Sequence, residues 1–192
     1  LVYHKNKNDK APRLIFSNRD RLISLNANNG KMIKSFDGDG QVRTGLNVTT
    51  PVIYKDKIII VTWDRAVEVY DLYSGKTKWK LKYIKKTSKR YGGKKFNNDG
   101  SNSWGGISLD ENRGLLYFTT GNPHYYFDGT QRPGSNPNSC SLIAIDLEKK
   151  KILWSFQETS HDIWNSDLPA PPVLTSITKN NKKIDVVVTP TK

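Results

Sequence analysis

Hydrophobic positions along this chain come in short runs, and each run stops at an acidic or amide residue followed by a turn. Three segments carry the pattern most clearly. Leu22-Ile23-Ser24-Leu25 leads into Asn26-Ala27-Asn28-Asn29-Gly30-Lys31 and closes at Phe36. Val67-Glu68-Val69-Tyr70 leads into Asp71-Leu72-Tyr73-Ser74-Gly75-Lys76 and closes at Trp79. Leu142-Ile143-Ala144-Ile145 leads into Asp146-Leu147-Glu148-Lys149-Lys150-Lys151 and closes at Trp154. The step from Asn26 to Asp71 is that of a four-stranded propeller blade. The step from Asp71 to Asp146 is longer, and a Lys-rich loop insertion at 82–103 accounts for the excess. Further strands are expected at Arg13 to Ser17, Pro51 to Tyr54, Ile58 to Thr62, Leu115 to Thr119 and Val186 to Val188. No segment sustains helical periodicity. Short strands punctuated by Gly, Asn and Asp turns predict an all-β fold, and the repeat favours a propeller over a sandwich. An aromatic that recurs in every unit is expected to pack between blades rather than to touch a ligand.

One stretch departs from the repeat. Trp104-Gly105-Gly106 opens it, and a strand ending at Asp110 then meets the turn Glu111-Asn112-Arg113-Gly114. A second strand, Leu115 to Thr119, delivers Thr120-Gly121-Asn122-Pro123. A hairpin of this kind brings Trp104 and Asn122 to one edge of a sheet. A flat indole suits a planar ring, and a neutral amide oxygen suits a hard cation.

Composition adds bounds. No run of about 18 apolar residues exists, so no segment reads as a membrane-spanning helix, and no signal peptide is visible. The chain opens on Leu1 and stops at Lys192 just after Val186-Val187-Val188; both ends are expected to be cuts within a longer protein. The single Cys140 excludes an internal disulfide and a Cys-based metal cluster. The net charge of +13 raises polyanion binding as a reading. Against it, the basic residues are mostly Lys scattered through turns and strand ends. Their densest run, Lys82, Lys85, Lys86, Lys89, Arg90, Lys94 and Lys95, ends in Gly and Asn like a loop. No nucleic-acid partner is expected.

In order along the chain, Trp104-Gly105-Gly106-Ile107-Ser108-Leu109-Asp110, Thr120-Gly121-Asn122-Pro123, Arg132-Pro133-Gly134, the segment from Ser160-His161-Asp162-Ile163-Trp164-Asn165-Ser166-Asp167 to Leu168-Pro169-Ala170-Pro171-Pro172, and Pro190-Thr191-Lys192 resemble the quinoprotein dehydrogenases. These are eight-bladed propellers that bind pyrroloquinoline quinone (PQQ) and a divalent metal, and the resemblance covers nearly all of the sequence. It implies that 1–192 is a partial quinoprotein propeller, incomplete at both ends and inactive in isolation. It implies Trp104 as the floor under the quinone and Asn122 as a calcium ligand through its side-chain oxygen, with Asn165 beside it in the metal set. Lys192 would reach the quinone oxygens, where a cation stabilises the negative charge of the reduced ring. Thr49, Thr50 and Thr62 would set hydroxyls against the cofactor's carboxylates. The implied reaction is hydride transfer from a sugar, polyol or other alcohol to the quinone, with a quinone or cytochrome as electron acceptor. The implied location is the periplasm, with an inner-membrane anchor elsewhere in the full-length protein as one form of it.

Departures from the family pattern matter as much. Many members carry an Asp base after the Trp of the His-Asp-x-Trp segment, where this chain has Asn165, and an amide cannot accept the proton. Asp167 lies two residues on. In an extended segment it would share a face with Asn165, as a displaced base or as a structural anchor. The glutamate that ligates metal in alcohol-oxidising members has no counterpart, because Trp63 to Glu68 is too short to hold its motif; Glu68 is expected at the surface. No adjacent Cys pair exists. Together these place the chain nearer the sugar- and polyol-oxidising branch.

Other residues have two readings. His161 and Asp162 are either a metal or proton-relay pair or a hydrogen-bonding clamp ahead of a buried Trp164. Tyr125, Tyr126 and Phe127 either line a substrate mouth or cover the propeller's top face. His124 has no partner at ligand spacing. The rival to a dehydrogenase is a non-catalytic propeller of the same repeat, serving as an envelope scaffold or assembly factor.

Overall fold

A computed structural model describes residues 1–6, 11–84, 90–91, 94–95 and 100–192, the pairs 90–91 and 94–95 by backbone alone. The described residues are all strand, turn and loop, with no helix among them. Two compact units divide the chain, Leu1–Lys82 and Tyr83–Lys192.

The first unit holds an antiparallel sheet of β1 (Val2–His4), β2 (Arg13–Asn26) and β3 (Gln41–Asn47), followed by a four-stranded meander of β4 (Val52–Tyr54), β5 (Lys57–Thr62), β6 (Ala66–Asp71) and β7 (Thr77–Lys82). The pattern predicted two strands where β2 runs unbroken. Arg19 takes a left-handed φ of 54° and the pairing with β3 shifts register between Arg19 and Arg21. The extra residues lie on β3, between Arg43 and Asn47, so the pairing is interrupted there while β2 continues. Ile15, Leu22, Phe36 and Val42 meet Ile58, Ile60, Tyr70 and Leu72 in one core. Phe36, the first repeat's aromatic, is fully buried there as expected, whereas Trp154, the third repeat's, is 39% exposed on the edge strand of its sheet. At the edge of the meander, β7 carries Lys78, Lys80 and Lys82, charges that discourage pairing with another chain.

Glu68 is not at the surface. It lies on the inner strand β6 and is only 4% exposed. Its carboxylate accepts the Gly45 N–H at 3.2 Å and the Tyr70 hydroxyl, and pairs with Lys80 at 2.9 Å. Alternation reads an acidic residue in a strand as solvent-facing; here a cation from the edge strand and two neutral donors compensate its burial.

The second unit holds the meander β10 (Ile107–Asp110), β11 (Leu115–Thr119), β12 (Ser141–Asp146) and β13 (Lys151–Gln157), and the hairpin β14 (Val173–Lys179) and β15 (Lys182–Val188). The hairpin turn is Asn180-Asn181, with φ of 52° and 56°. Two consecutive left-handed residues make the turn type that matches strand twist, and the hydrophobic pattern alone had marked only Val186 to Val188. Near the start of the second unit, β8 (Arg90–Tyr91) pairs with β9 (Lys94–Lys95). The rest of the Lys-rich run, Lys85, Lys86 and Lys89 included, lies outside the described residues, and with it the polyanion reading. The ends of the 82–103 segment are anchored: Lys82 closes β7, Tyr83 and Ile84 are buried, and so are Ser101, Asn102 and Ser103. The Tyr83 ring meets Phe118 edge-on at 4.9 Å.

The acidic or amide residue of each repeat has one local job. Asn26 accepts the Asn28 N–H at 2.9 Å through its side chain. Asp71 accepts those of Tyr73 at 3.1 Å and Ser74 at 2.8 Å. Asp146 accepts those of Glu148 at 3.1 Å and Lys149 at 2.8 Å. Each side chain mimics a backbone carbonyl and nucleates the turn between two strands.

Asp71 makes this testable. Burial opposes its ionisation, but the bonds from Ser74, Lys78 and Tyr73 outweigh burial and bring its pKa down to about 2. A carboxyl depressed this far is worth about 2 kcal/mol of folding free energy, present above about pH 4 and lost as pH falls towards 2. Asp71→Asn is therefore expected to lower stability by about 1–2 kcal/mol near pH 6. The difference from wild type, read from urea melts, fades as pH falls through that window; a difference independent of pH contradicts the assignment.

Candidate functional site

Register sorts the ends of the second meander. Asp110, Leu115, Asp146 and Lys151 pair across one end. Ile107 with Phe118, Thr119 with Leu142 and Ser141 with Gln157 mark the other. The Trp104 segment enters and the Asn122 segment leaves at that second end.

Two glycines let a third segment lie across it. A Cβ on Gly105 would sit 2.7 Å from the Pro169 carbonyl carbon, and one on Gly106 3.0 Å from the Pro171 ring. Segment 167–172 fills that space. Thr119 donates its hydroxyl to the Ala170 carbonyl at 3.1 Å, and Ser108 donates to the Pro172 carbonyl. Asp167, at the head of the segment, thereby reaches Gly121. A Cβ there would lie 2.3 Å from Asp167 Oδ1 and 3.1 Å from Trp104 Nε1. With only hydrogen on Gly121, the carboxylate comes down on the backbone and accepts the Asn122 N–H at 2.9 Å.

The backbone beneath is held from both sides. Gly121 N–H donates to Asn102 O and Cys140 N–H to Gly121 O, each at 2.9 Å, and Ser101 N–H donates to Asn122 O at 2.7 Å. Asn122 is buried. Its amide Nδ2 donates to Pro123 O at 3.3 Å, and its Oδ1 accepts no hydrogen bond among the described residues. Trp104 is 40% exposed, which leaves indole surface open to a planar ring. The Trp104 indole N–H, the Asn122 backbone and the Asp167 carboxylate thus meet at Gly121, at the sheet end where the hairpin leaves both Trp104 and Asn122.

The loop before Asp167 differs from expectation in two ways. Asn165 has a φ of 60°, a left-handed conformation that asparagine tolerates. The segment is consequently not extended at that point, and the expectation that residues 165 and 167 share a face does not hold. Trp164 is 77% exposed, not buried. The clamp reading of Asp162 does hold: its carboxylate accepts the N–H groups of Trp164 at 2.9 Å and Ser166 at 2.8 Å. Burial raises its pKa, and those two bonds, with the Ser166 and Cys140 side chains, more than reverse the effect, so it stays below the usual carboxylate range. Burial pushes the Cys140 thiol up, and the Asp162 charge adds to this. Neither group is poised to exchange protons near neutrality. His161 Nδ1 lies 2.8 Å from the Gly134 carbonyl.

Lys192 donates its ammonium to the Asn165 carbonyl at 3.0 Å, so these two predicted residues meet through backbone. His124 lies 2.9 Å from the Tyr126 hydroxyl, and no cluster of three His, Cys, Asp or Glu groups suited to a metal occurs among the described residues. Tyr125, Tyr126 and Phe127 are all exposed. Phe127 lines an open groove of about 700 Å³ with Pro133, His161 and Ile163.

The threonines belong to the other unit. Thr49 is buried and gives its hydroxyl to Asn47 Oδ1 at 2.9 Å. Thr62 is buried and donates to the Ala66 carbonyl at 3.3 Å, with its Cβ and Cγ2 at 3.0 Å from where a Gly45 Cβ would be. Thr50 is exposed.

Two features of the site were not anticipated. Gly121 read only as part of a loop motif; nothing in the sequence announced that residue 167 would need its missing side chain. Ser103, next to Trp104, is fully buried with an Oγ that has no partner among the described residues. Asp167 Oδ1 and Trp104 Nε1 both come to Gly121, and a carboxylate oxygen is a donor that suits a hard cation, as is the amide oxygen that Asn122 carries.

Comparison with known proteins bears on the family and the fold. The quinoprotein glucose dehydrogenase of Escherichia coli is 28% identical over an alignment covering 100% of this chain and 28% of that protein. The lanthanide-dependent methanol dehydrogenase of Methylorubrum extorquens is 29% identical, covering 76% of this chain and 29% of that protein. The crystal structure of quinohemoprotein alcohol dehydrogenase from Comamonas testosteroni superposes with a TM-score of 0.76 at 21% identity, over 94% of this chain and 31% of that one, and so shares the fold. The chain spans less than a third of the length of each of these proteins. The family described as PQQ: Glucose/ethanol/alcohol dehydrogenase, beta-propeller domain matches residues 1–192 throughout, and the chain, with its blade-like antiparallel sheets, belongs to that family.

Proposed function

We propose that the full-length protein is a PQQ-dependent dehydrogenase that oxidises a sugar, polyol or other alcohol in the periplasm and passes electrons to a quinone or a cytochrome. The observation that carries this reading is the Asp167 carboxylate seated on the Asn122 N–H beside Trp104. When bound, the quinone would accept a hydride from the substrate carbon, and a hard cation, calcium or a lanthanide, would polarise the accepting carbonyl. Trp104 offers its open indole face to the planar ring. Asn122 offers Oδ1 to the cation. Asp167 keeps one oxygen on the Asn122 N–H, which fixes its direction, and the other takes the hydroxyl proton as the hydride leaves. Asn165 has no basic atom for that step, so its part is to turn the chain and give Lys192 a carbonyl to rest on. Lys192 brings positive charge to the loop, where it would balance the reduced quinone.

The test is dye-linked oxidation by the full-length protein, supplied with PQQ and either calcium or lanthanum, across a panel of sugars, polyols and alcohols. Turnover with one metal and one substrate class is the expected outcome; none under any combination favours a scaffold instead. Asp167→Asn is expected to lower the rate per folded molecule by about 10²–10⁴-fold with little change in melting temperature. An unchanged rate per folded molecule removes Asp167 from the mechanism. Asn165→Asp should raise turnover or leave it unchanged.

Gly121→Ala tests the seat rather than the base. Its methyl would fall 2.3 Å from Asp167 Oδ1, and the short Asp side chain can swing away. The fold should survive with a loss of about 1–3 kcal/mol for the broken charge-assisted bond, while turnover falls as in Asp167→Asn. Wild-type turnover in Gly121→Ala would show that the carboxylate's position does not matter.

A further inference from the structure

Among the described residues, Arg132 is the largest fully buried side chain, 1% exposed. Burying a guanidinium costs several kcal/mol unless its donors are satisfied, and here all the recorded acceptors are neutral. Nε and Nη2 donate to the Tyr125 carbonyl at 3.1 and 2.9 Å. Nη1 donates to Asn136 Oδ1 at 2.8 Å, and Asn136 Nδ2 returns a bond to the Arg132 carbonyl at 2.8 Å. Nη2 also donates to the Asp162 carbonyl. The countercharge is the Asp162 carboxylate, itself 1% exposed. That carboxylate makes no recorded bond to Arg132; its two oxygens take the N–H groups of Trp164 and Ser166, with the Cys140 thiol at 3.6 Å.

Neither side chain hydrogen-bonds Asp167 or Trp104, yet both act on the same short stretch. Arg132 fixes where residue 162 lies relative to the 125–136 loop. Asp162 folds the next four residues into one turn, through which Asn165 passes in its left-handed conformation. Asp167 follows directly and lands on the Asn122 N–H. We infer that Arg132 and Asp162 are a buried positioning pair that sets where the Asp167 carboxylate meets Asn122. The kinetic half of this inference rests on Asp167 being the base; the structural half does not. Lysine is not a substitute at position 132, because one ammonium cannot span the Tyr125 and Asp162 carbonyls and the Asn136 amide in a single plane.

The test uses the full-length protein and two readouts, amide hydrogen exchange and turnover per quinone-loaded site, in Asp162→Asn and Arg132→Lys. Asp110→Asn, at the opposite end of the same sheet, is the control. In both variants the amides of Trp164, Ser166 and Asn122 are expected to exchange about 10-fold faster or more, with those of β11 and β12 unchanged. The Asn122 amide is the decisive one, since its bond is to Asp167 and to neither mutated residue. Turnover per loaded site should fall about 10-fold or more, with substrate KM within about threefold of wild type. Asn122 protection equal to wild type, or a loss spread evenly over β11 and β12, overturns the inference. Asp162→Asn keeps the side chain's volume and one acceptor, so it decides the matter if Arg132→Lys does not fold. Should the wild type show no turnover, the dehydrogenase reading fails, and exchange at Asn122 still decides the positioning role.

Discussion

The site depends on a missing atom. Gly121 has no Cβ, and so a carboxylate brought in from Asp167 can sit directly on the backbone and take the Asn122 N–H at 2.9 Å. That contact ties the end of the β10–β11 hairpin to the segment that crosses it. The same logic is used twice more, at Gly105 under Pro169 and at Gly106 under Pro171. Each glycine costs chain entropy on folding, and the return is close approach of two backbones. An indole N–H, a backbone N–H and a carboxylate are held in one place without any of them being part of a strand.

The surrounding architecture is built from a more local device. In every repeat an Asn or Asp side chain accepts backbone N–H groups two or three residues on, so each turn is formed by the sequence next to it. Such turns let the meanders assemble from neighbouring strands, with short loops to close. The site is the opposite case. Asp167 lies 45 residues from Asn122 in sequence, and its placement is secured by a buried turn around Asp162 and by hydroxyls from Thr119 and Ser108. Where local signals end, buried polar contacts set position.

This division explains what could be read from the sequence. The all-β class, the blade spacing and the burial of Phe36 follow from local periodicity. Trp104 and Asn122 were legible as a pair because a single hairpin joins them. Glu68 was misread because alternation carries no information about Lys80 on the next strand or Gly45 from β3. The facing of Asn165 and Asp167 was misread because one left-handed residue breaks the period on which the reading relied. Arg132 stood in a recognisable motif, but nothing in the sequence marked it as buried; long-range carbonyl acceptors decide that, and they have no sequence pattern.

The central claim is that Trp104, Asn122 and Asp167 form one cofactor-binding and proton-accepting site. A crystal structure of the full-length protein with PQQ and calcium tests it most directly. The account predicts the quinone plane stacked on the Trp104 indole, a cation about 2.3–2.6 Å from Asn122 Oδ1, and the free oxygen of Asp167 facing the space above the ring. A quinone bound away from Trp104, or a cation with no bond to Asn122, would contradict it.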